Sequence, residues 1–257
     1  MTARAAAVLP VRFASTRLPG KPLLAQTGKP LIQHVWEQVR RARRLEPVIV
    51  ATDDERVAAA ARGFGAQVAM TDPRHPSGSD RVAEVARGLP HELILNVQGD
   101  EPEVDPGDLD RLVERLADHG EDLVTLARPL GDANGPDGDA AEFIDPHLVK
   151  VVVDGRGRAL YFSRSPVPHG ATPAGAFAHQ GVYGWRREAL LAFAAGTPTQ
   201  LERLERLEQL RALEMGLSIG VVFTQHASLG IDTPSDYARF VERQRRLQQA
   251  GRAGPTS

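Results

Sequence analysis

Short apolar runs alternate with stretches of helical period along the first half of the chain. Residues 5–10 form an unbroken apolar run and predict a strand. Ile32, Val35, Trp36 and Val39 then recur at helical spacing after Pro30, a residue that suits a helix's first turn. Residues 48–51 predict a second strand. Asp53 and Asp54 precede an Ala-rich helix that closes at Gly63 or Gly65. A third strand is expected at 67–70, a helix at 79–87 stopped by Gly88, and a fourth strand at 93–97. Leu109, Leu112, Val113 and Leu116 mark a further helix ending at Gly120, before a fifth strand at 123–127. This strand–helix order predicts an α/β fold, a mainly parallel sheet with helices on both faces and right-handed crossovers. The run Leu93-Ile94-Leu95-Asn96-Val97 fits burial on both sides.

The pattern changes in the second half. Residues 130–142 are rich in Gly, Asp and Pro and read as a flexible loop. Apolar runs at 149–153 and 159–162 flank Asp154-Gly155-Arg156-Gly157, which predicts a hairpin and hence a small antiparallel extension. Another loop is expected at 165–178, a strand at 182–185 followed by a helix through Phe193, and a late strand at 218–223. Asp232-Thr233-Pro234 opens a final helix, and a disordered tail is expected over 251–257. Leu201, Leu204, Leu207, Leu210 and Leu213 repeat every three residues. In one helix each such step slips back by about 60°, so the leucines would wrap most of the circumference. That predicts a helix buried on more than one face, partly against a second subunit in a homodimer. Residues 1–250 are expected to form a single domain, with 145–217 as its extension.

Composition narrows the function. With 31 Lys and Arg against 33 Asp and Glu, the formal net charge is -2, too little basic excess for a nucleic-acid or anionic-membrane binder. The chain contains no cysteine, which excludes disulfides, thiolate zinc sites and a cysteine nucleophile. No apolar run approaches the ~20 residues that a bilayer span requires. The apolar stretch 5–11 lacks a following small-residue cleavage site and leads into Arg12 and Arg17, so it reads as a buried strand in a cytoplasmic protein, not as a signal peptide.

Four segments carry candidate chemistry. The loop after the first strand holds Arg12, Arg17 and Lys21 together with Ser15, Thr16 and Gly20. In a parallel sheet this loop overlies the carboxyl ends of the strands, where cations grip phosphate oxygens; a solvated basic loop is the alternative. Asp100, in Asn96-Val97-Gln98-Gly99-Asp100-Glu101-Pro102, emerges where the fourth strand stops. It is placed to ligate magnesium or to cap the next helix. Asp232, two residues before Pro234, reads as a helix N-cap unless it meets Asp100 in space. In His75-Pro76-Ser77-Gly78-Ser79-Asp80-Arg81 a helix start offers N–H groups to a base or phosphate, or is a plain turn capped by Ser79. Taken singly, Tyr161-Phe162-Ser163-Arg164, His179 to Gly184, and Glu208-Gln209 are weak signals.

Together these segments resemble one family, the 3-deoxy-manno-octulosonate (Kdo) cytidylyltransferases, over residues 6–241. The resemblance lies in 12–22 (pattern R-[YF]-x-S-[TS]-R-L-P-x-K-P), 75–81, 97–102, 149–153, 161–164, 179–184, 207–210 and 230–234; Val11, Ser79 and Gln200 depart from the usual residues. It implies a nucleotide-diphospho-sugar transferase fold and a dimer, with CTP and an eight-carbon acidic sugar as substrates. The products it implies are a CMP-sugar for lipopolysaccharide biosynthesis and pyrophosphate. By matching positions, Arg12, Ser15 and Lys21 would hold the triphosphate, with Arg12, Lys21 and Asp100 catalytic. Ser77, Gly78, Arg81 and Gln98 would surround the cytidine. Asp100 and Asp232 would bind Mg2+. Arg17, Arg164, His179, Tyr183, Glu208 and Gln209 would line the sugar side. A glycosyltransferase of related fold, or a silent nucleotide-binding module, is the rival reading.

Overall fold

The computed structural model describes residues 3–131, 140–228 and 230–252. Its first half follows the expected alternation: β1 (Ala5–Val11), α1 (Leu31–Val39), β2 (Leu45–Thr52), α2 (Glu55–Gly63), β3 (Gln67–Met70), α3 (Gly78–Arg87), β4 (Leu93–Asn96), α4 (Pro106–His119) and β5 (Leu123–Pro129). The second half adds α5 (Ala140–Ile144), β6 (Lys150–Val153), β7 (Ala159–Ser163), β8 (Phe177–Arg186), α6 (Arg187–Ala195), α7 (Gln200–Glu205), α8 (Gln209–Glu214), β9 (Ile219–Phe223) and α9 (Pro234–Arg252). The expected loop over 130–142 is therefore helical from Ala140, and its residues 132–139 lie outside the described ones. The final helix runs through Gly251 and Arg252, where a tail was expected; residues 253–257 lie outside the described ones.

One sheet organises the molecule, in the order β3-β2-β1-β4-β8-β5-β9. Strands β3, β2, β1 and β4 are mutually parallel, as are β5 and β9. Strand β8 is antiparallel to both its neighbours, β4 and β5, and separates two strands that sequence order would place side by side. The cause is where the chain re-enters. After the β6–β7 hairpin it arrives at the carboxyl end of the sheet, where Phe177 pairs with Pro129, and runs down to Arg186 opposite Leu93. The hairpin joins the same sheet through β6 and β8.

Both faces are buried, and the two-residue period of a strand sorts the side chains. On β1, Ala5, Ala7, Leu9 and Val11 join one core with Ile32, Val35, Leu109 and Leu112 of α1 and α4. Ala6 and Val8 join the other core, with Val82 and Ala86 of α3 and Leu190 of α6. On β4, Leu93 and Leu95 face the first core and Ile94 the second, so Asn96 projects toward α3.

The leucine repeat is not one helix. Arg206 sits in the left-handed region at φ 55° and separates α7 from α8. The break resets the phase: Leu207 and Leu210 enter the core, whereas Leu204 is 72% exposed. A three-residue spacing does not keep one face through a 3.6-residue helix, and the chain resolves the mismatch by breaking.

Candidate active site

A cleft of about 350 Å³ opens over the carboxyl ends of β1 and β4. Its walls include Arg12, Ser15, Arg17 and Lys21 from the loop after β1, Gly78 and Arg81 from α3, Gln98 and Asp100 from the loop after β4, and Asp232 from the turn before α9. Nine of the expected residues thus share one concavity. Glycine shapes it at two points. Gly20 has φ 67°, in the left-handed region where a side chain is strained. A Cβ on Gly99 would lie 2.7 Å from Val11 Cγ2, so only glycine lets the two loops approach.

The two aspartates converge. Lys21 Nζ donates to Asp100 Oδ2 at 2.6 Å and to Asp232 Oδ1 at 3.3 Å, and also to the Ile231 carbonyl at 2.8 Å. Arg17 Nη2 lies 3.1 Å from the same Asp232 oxygen. A backbone bond from Ile231 N–H to the Asp100 carbonyl, 2.9 Å, ties the two segments together. The helix-cap readings of both acids give way. Asp105 caps α4, accepting the Asp108 N–H at 3.0 Å. Thr233 Oγ1 accepts the Asp236 N–H at 3.2 Å, while the Asp236 carboxylate takes the Thr233 N–H at 2.8 Å. Both Asp100 and Asp232 are left to face the cleft. Behind them Glu101 is buried and accepts from the Ser228 hydroxyl. Burial first, and the adjacent Asp100 charge second, push its carboxyl up to about 7. Sequence reading passed over Glu101 because its neighbour in the same motif was the obvious ligand.

At α3 the cap is Ser77, whose Oγ accepts the Asp80 N–H, not Ser79 as expected. Arg12 donates from Nη2 to the His75 carbonyl and bridges the loop after β1 to the start of α3. Arg81 is fully buried. It donates to Thr71 Oγ1, and its Nη2 lies 3.1 Å from Asp53 Oδ1 without hydrogen-bond alignment, so Nε and Nη2 have no hydrogen-bond partner among the described residues. Burial lowers its pKa, opposed by Asp53. Arg81 thus places a buried positive charge, paired with Asp53, behind the cleft wall. Asp53, read from sequence as a helix-start acid, is its counter-charge.

The six residues expected on the sugar side fall into two places. Arg17 lies in the cleft with the cations. The other five belong to the hairpin, β8 and α8. His179 Nε2 meets Thr125 Oγ1 at 2.9 Å, with its ring edge-on to Phe162 and beside Tyr183. Burial lowers the imidazole to about 3, so the ring is neutral at ordinary pH. Burial, then the Glu208 charge, raises the Tyr183 phenol. Glu208 is raised chiefly by burial and accepts the Ser79 hydroxyl at 2.8 Å. Gln209 is buried, and its Nε2 has no partner among the described residues. Arg164 is braced: its Nε donates to the Glu205 carbonyl at 2.9 Å and its Nη1 to the Pro146 carbonyl at 3.0 Å. The Glu205 carboxylate takes the Arg164 N–H and the Ser163 hydroxyl. Sequence reading did not single out Glu205, because it lay inside the leucine repeat and carried no motif of its own. No helix among the described residues is long and apolar enough to cross a membrane.

Comparison with known proteins agrees with this geometry. A cytidylyltransferase family model matches residues 6–219. The 3-deoxy-manno-octulosonate cytidylyltransferase of Geobacter sulfurreducens is 45% identical over 92% of this chain and 98% of its own. That of Myxococcus xanthus is 47% identical over 91% and 93%. A solved CMP:2-keto-3-deoxy-manno-octonic acid synthetase complexed with CTP superposes with a TM-score of 0.88, at 37% identity, over 95% of this chain and 100% of that one. The 4-diphosphocytidyl-2C-methyl-D-erythritol synthase of Anaerococcus prevotii, 12% identical with a TM-score of 0.59 over 96% of this chain and 99% of that one, shares the fold alone. The chain belongs to the cytidylyltransferase family, among the 3-deoxy-manno-octulosonate cytidylyltransferases.

Proposed function

We propose that this chain transfers a cytidylyl group from CTP to 3-deoxy-manno-octulosonate, giving CMP-Kdo and pyrophosphate for lipopolysaccharide biosynthesis in the cytoplasm. One observation carries the reading. Asp100 and Asp232, from opposite halves of the chain, meet at a single cation in a cleft that also gathers Arg12, Arg17 and Arg81. Two anionic substrates repel each other, so such a site must supply positive charge and alignment.

In the reaction the anomeric hydroxyl of the sugar attacks the α-phosphorus in line. A new O–P bond forms, the bond to the β-phosphate oxygen breaks, and the hydroxyl proton is released. Lys21 and Arg12 stabilise charge on the α-phosphoryl and leaving oxygens. Ser77, Gly78, Arg81 and Gln98 hold the cytidine end. Arg164, with Nε and Nη1 held by the Glu205 and Pro146 carbonyls, offers its Nη2 to the sugar carboxylate, while His179, neutral and fixed by Thr125, presents a hydrogen bond beside Tyr183, Glu208 and Gln209. The donor set around Lys21 Nζ, two carboxylates and the Ile231 carbonyl, is all hard oxygen and suits Mg2+. Asp100 and Asp232 would hold the ion, which when bound polarises phosphoryl oxygen and lowers the pKa of a coordinated hydroxyl.

The test is a panel of CTP, UTP, ATP and GTP, each with Kdo and with other sugar acids, read by pyrophosphate release. Release that needs both CTP and an acidic eight-carbon sugar supports the assignment. Binding of CTP without release, or hydrolysis of a nucleotide-sugar instead, would overturn it.

The extension over 145–217 also supports a homodimer. Leu160 on β7 and Leu204 on α7 are 58% and 72% exposed, on elements joined by Glu205. Light scattering at micromolar concentration is expected to give about twice the 27.8 kDa chain mass. Leu204→Glu should shift it to monomer; a wild-type monomer contradicts the dimer.

A further inference from the structure

Asn96 is fully buried, yet its side chain faces the α3 core where the neighbouring position, Ile94, is apolar. A buried amide persists only when its donors and acceptors are met. Asn96 meets them toward two different walls. Its Oδ1 accepts from Gln98 Nε2 at 3.3 Å, and its Nδ2 donates to Ser79 Oγ at 3.4 Å. Ser79 Oγ in turn donates to Glu208 Oε2 at 2.8 Å. A continuous chain of hydrogen bonds therefore runs from Gln98, on the cleft wall, through Asn96 and Ser79 to Glu208 at the start of α8. Strand register adds a backbone link, since Asn96 pairs directly with Tyr183. The chain also holds the Gln98 amide against the start of α3, where a Cβ on Gly78 would lie 3.1 Å from its Oε1 and 3.5 Å from its Nε2.

We infer that Asn96 is a positioning residue that couples the nucleotide side of the site to the sugar side, by holding Gln98 and Ser79 in one hydrogen-bonded frame. Ser79 is the informative probe. It is buried, does not line the cleft, and does not cap α3, which Ser77 does. Any effect of its hydroxyl on nucleotide binding must travel through its partners.

This inference rests on the proposed reading of the cleft as the CTP site. Calorimetric titration of the full-length protein with CTP, in the absence of sugar acid, tests it by a double-mutant cycle. Ser79→Ala should weaken CTP binding by about three- to tenfold, the scale of one buried hydrogen bond in a network. In an Asn96→Leu background the same substitution should change affinity by less than about twofold. If Asn96→Leu does not fold, Asn96→Ala serves as the background: it removes both amide hydrogen bonds and adds no new partner for Ser79. An unchanged CTP affinity in Ser79→Ala, or an equal loss in both backgrounds, overturns the coupling. A wild-type protein that binds no CTP overturns the reading of the cleft instead.

Discussion

Asp100→Asn is expected to lower turnover by about two to four orders of magnitude while leaving the fold in place. The substitution is isosteric, so β4 and the Gly99 turn keep their packing, and the Ile231 bond to the Asp100 carbonyl is untouched. Lys21 keeps two of its three acceptors, the Ile231 carbonyl and Asp232. The Lys21–Asp100 pair is partly exposed to water, so its loss is screened, and the melting temperature should move by no more than a few degrees. What is removed is half of the anionic pair that would hold a divalent ion, and an amide oxygen is a weak replacement. Pyrophosphate-release rates and thermal melts on the same preparation separate the two effects. Near-wild-type rates at ordinary magnesium concentration would refute the metal role.

Lys21→Met acts on the other side of the same contact. Lys21 sits between Asp100 and Asp232 and reaches both. Its removal takes away the cation proposed to meet the triphosphate, and kcat/KM for CTP should fall by about two to three orders of magnitude. The KM for the sugar acid should change much less than that for CTP, because five of the six proposed sugar-side residues lie away from Lys21, after the hairpin, on β8 and at α8, and only Arg17 shares Asp232 with it. Asp100 would lose its ion-pair partner and Asp232 would keep only Arg17, so this variant should bind divalent cation more tightly than wild type when no nucleotide is present. Steady-state kinetics with each substrate varied in turn, with a Mn2+ titration of the free protein, checks both parts. Equal losses for both substrates would contradict the assignment.

Sequence reading went furthest where a local pattern is tied to one geometry. The apolar runs of β1 and β4 and the helical periods of α1 and α4 each specify an element, and an α/β layering follows from their order. The loop cations and Asp100 were legible because a parallel sheet gathers such loops at its carboxyl edge. Other features are set by contacts between distant segments. The antiparallel path of β8 depends on where the hairpin delivers the chain, which no period in Phe177–Arg186 encodes. The break at Arg206 is a phase conflict settled by burial of Leu207 and Leu210. Asp232 looked like a cap because Thr233-Pro234 follows it, and only the reciprocal bonds of Thr233 and Asp236 release its carboxylate. Likewise Asp53, Glu101 and Glu205 take their meaning from partners far along the chain, Arg81, Ser228 and Arg164.

In the proposed mechanism two carboxylates act through one ion, and a double-mutant cycle in turnover measures that most directly. Initial rates of pyrophosphate release from CTP and Kdo are compared for wild type, Asp100→Asn, Asp232→Asn and the double variant, across magnesium concentration. If the acids share an ion, the double variant is no slower than the slower single one, within about threefold, because the first loss already removes the shared function. If the losses multiply, each aspartate works alone and the shared site does not exist.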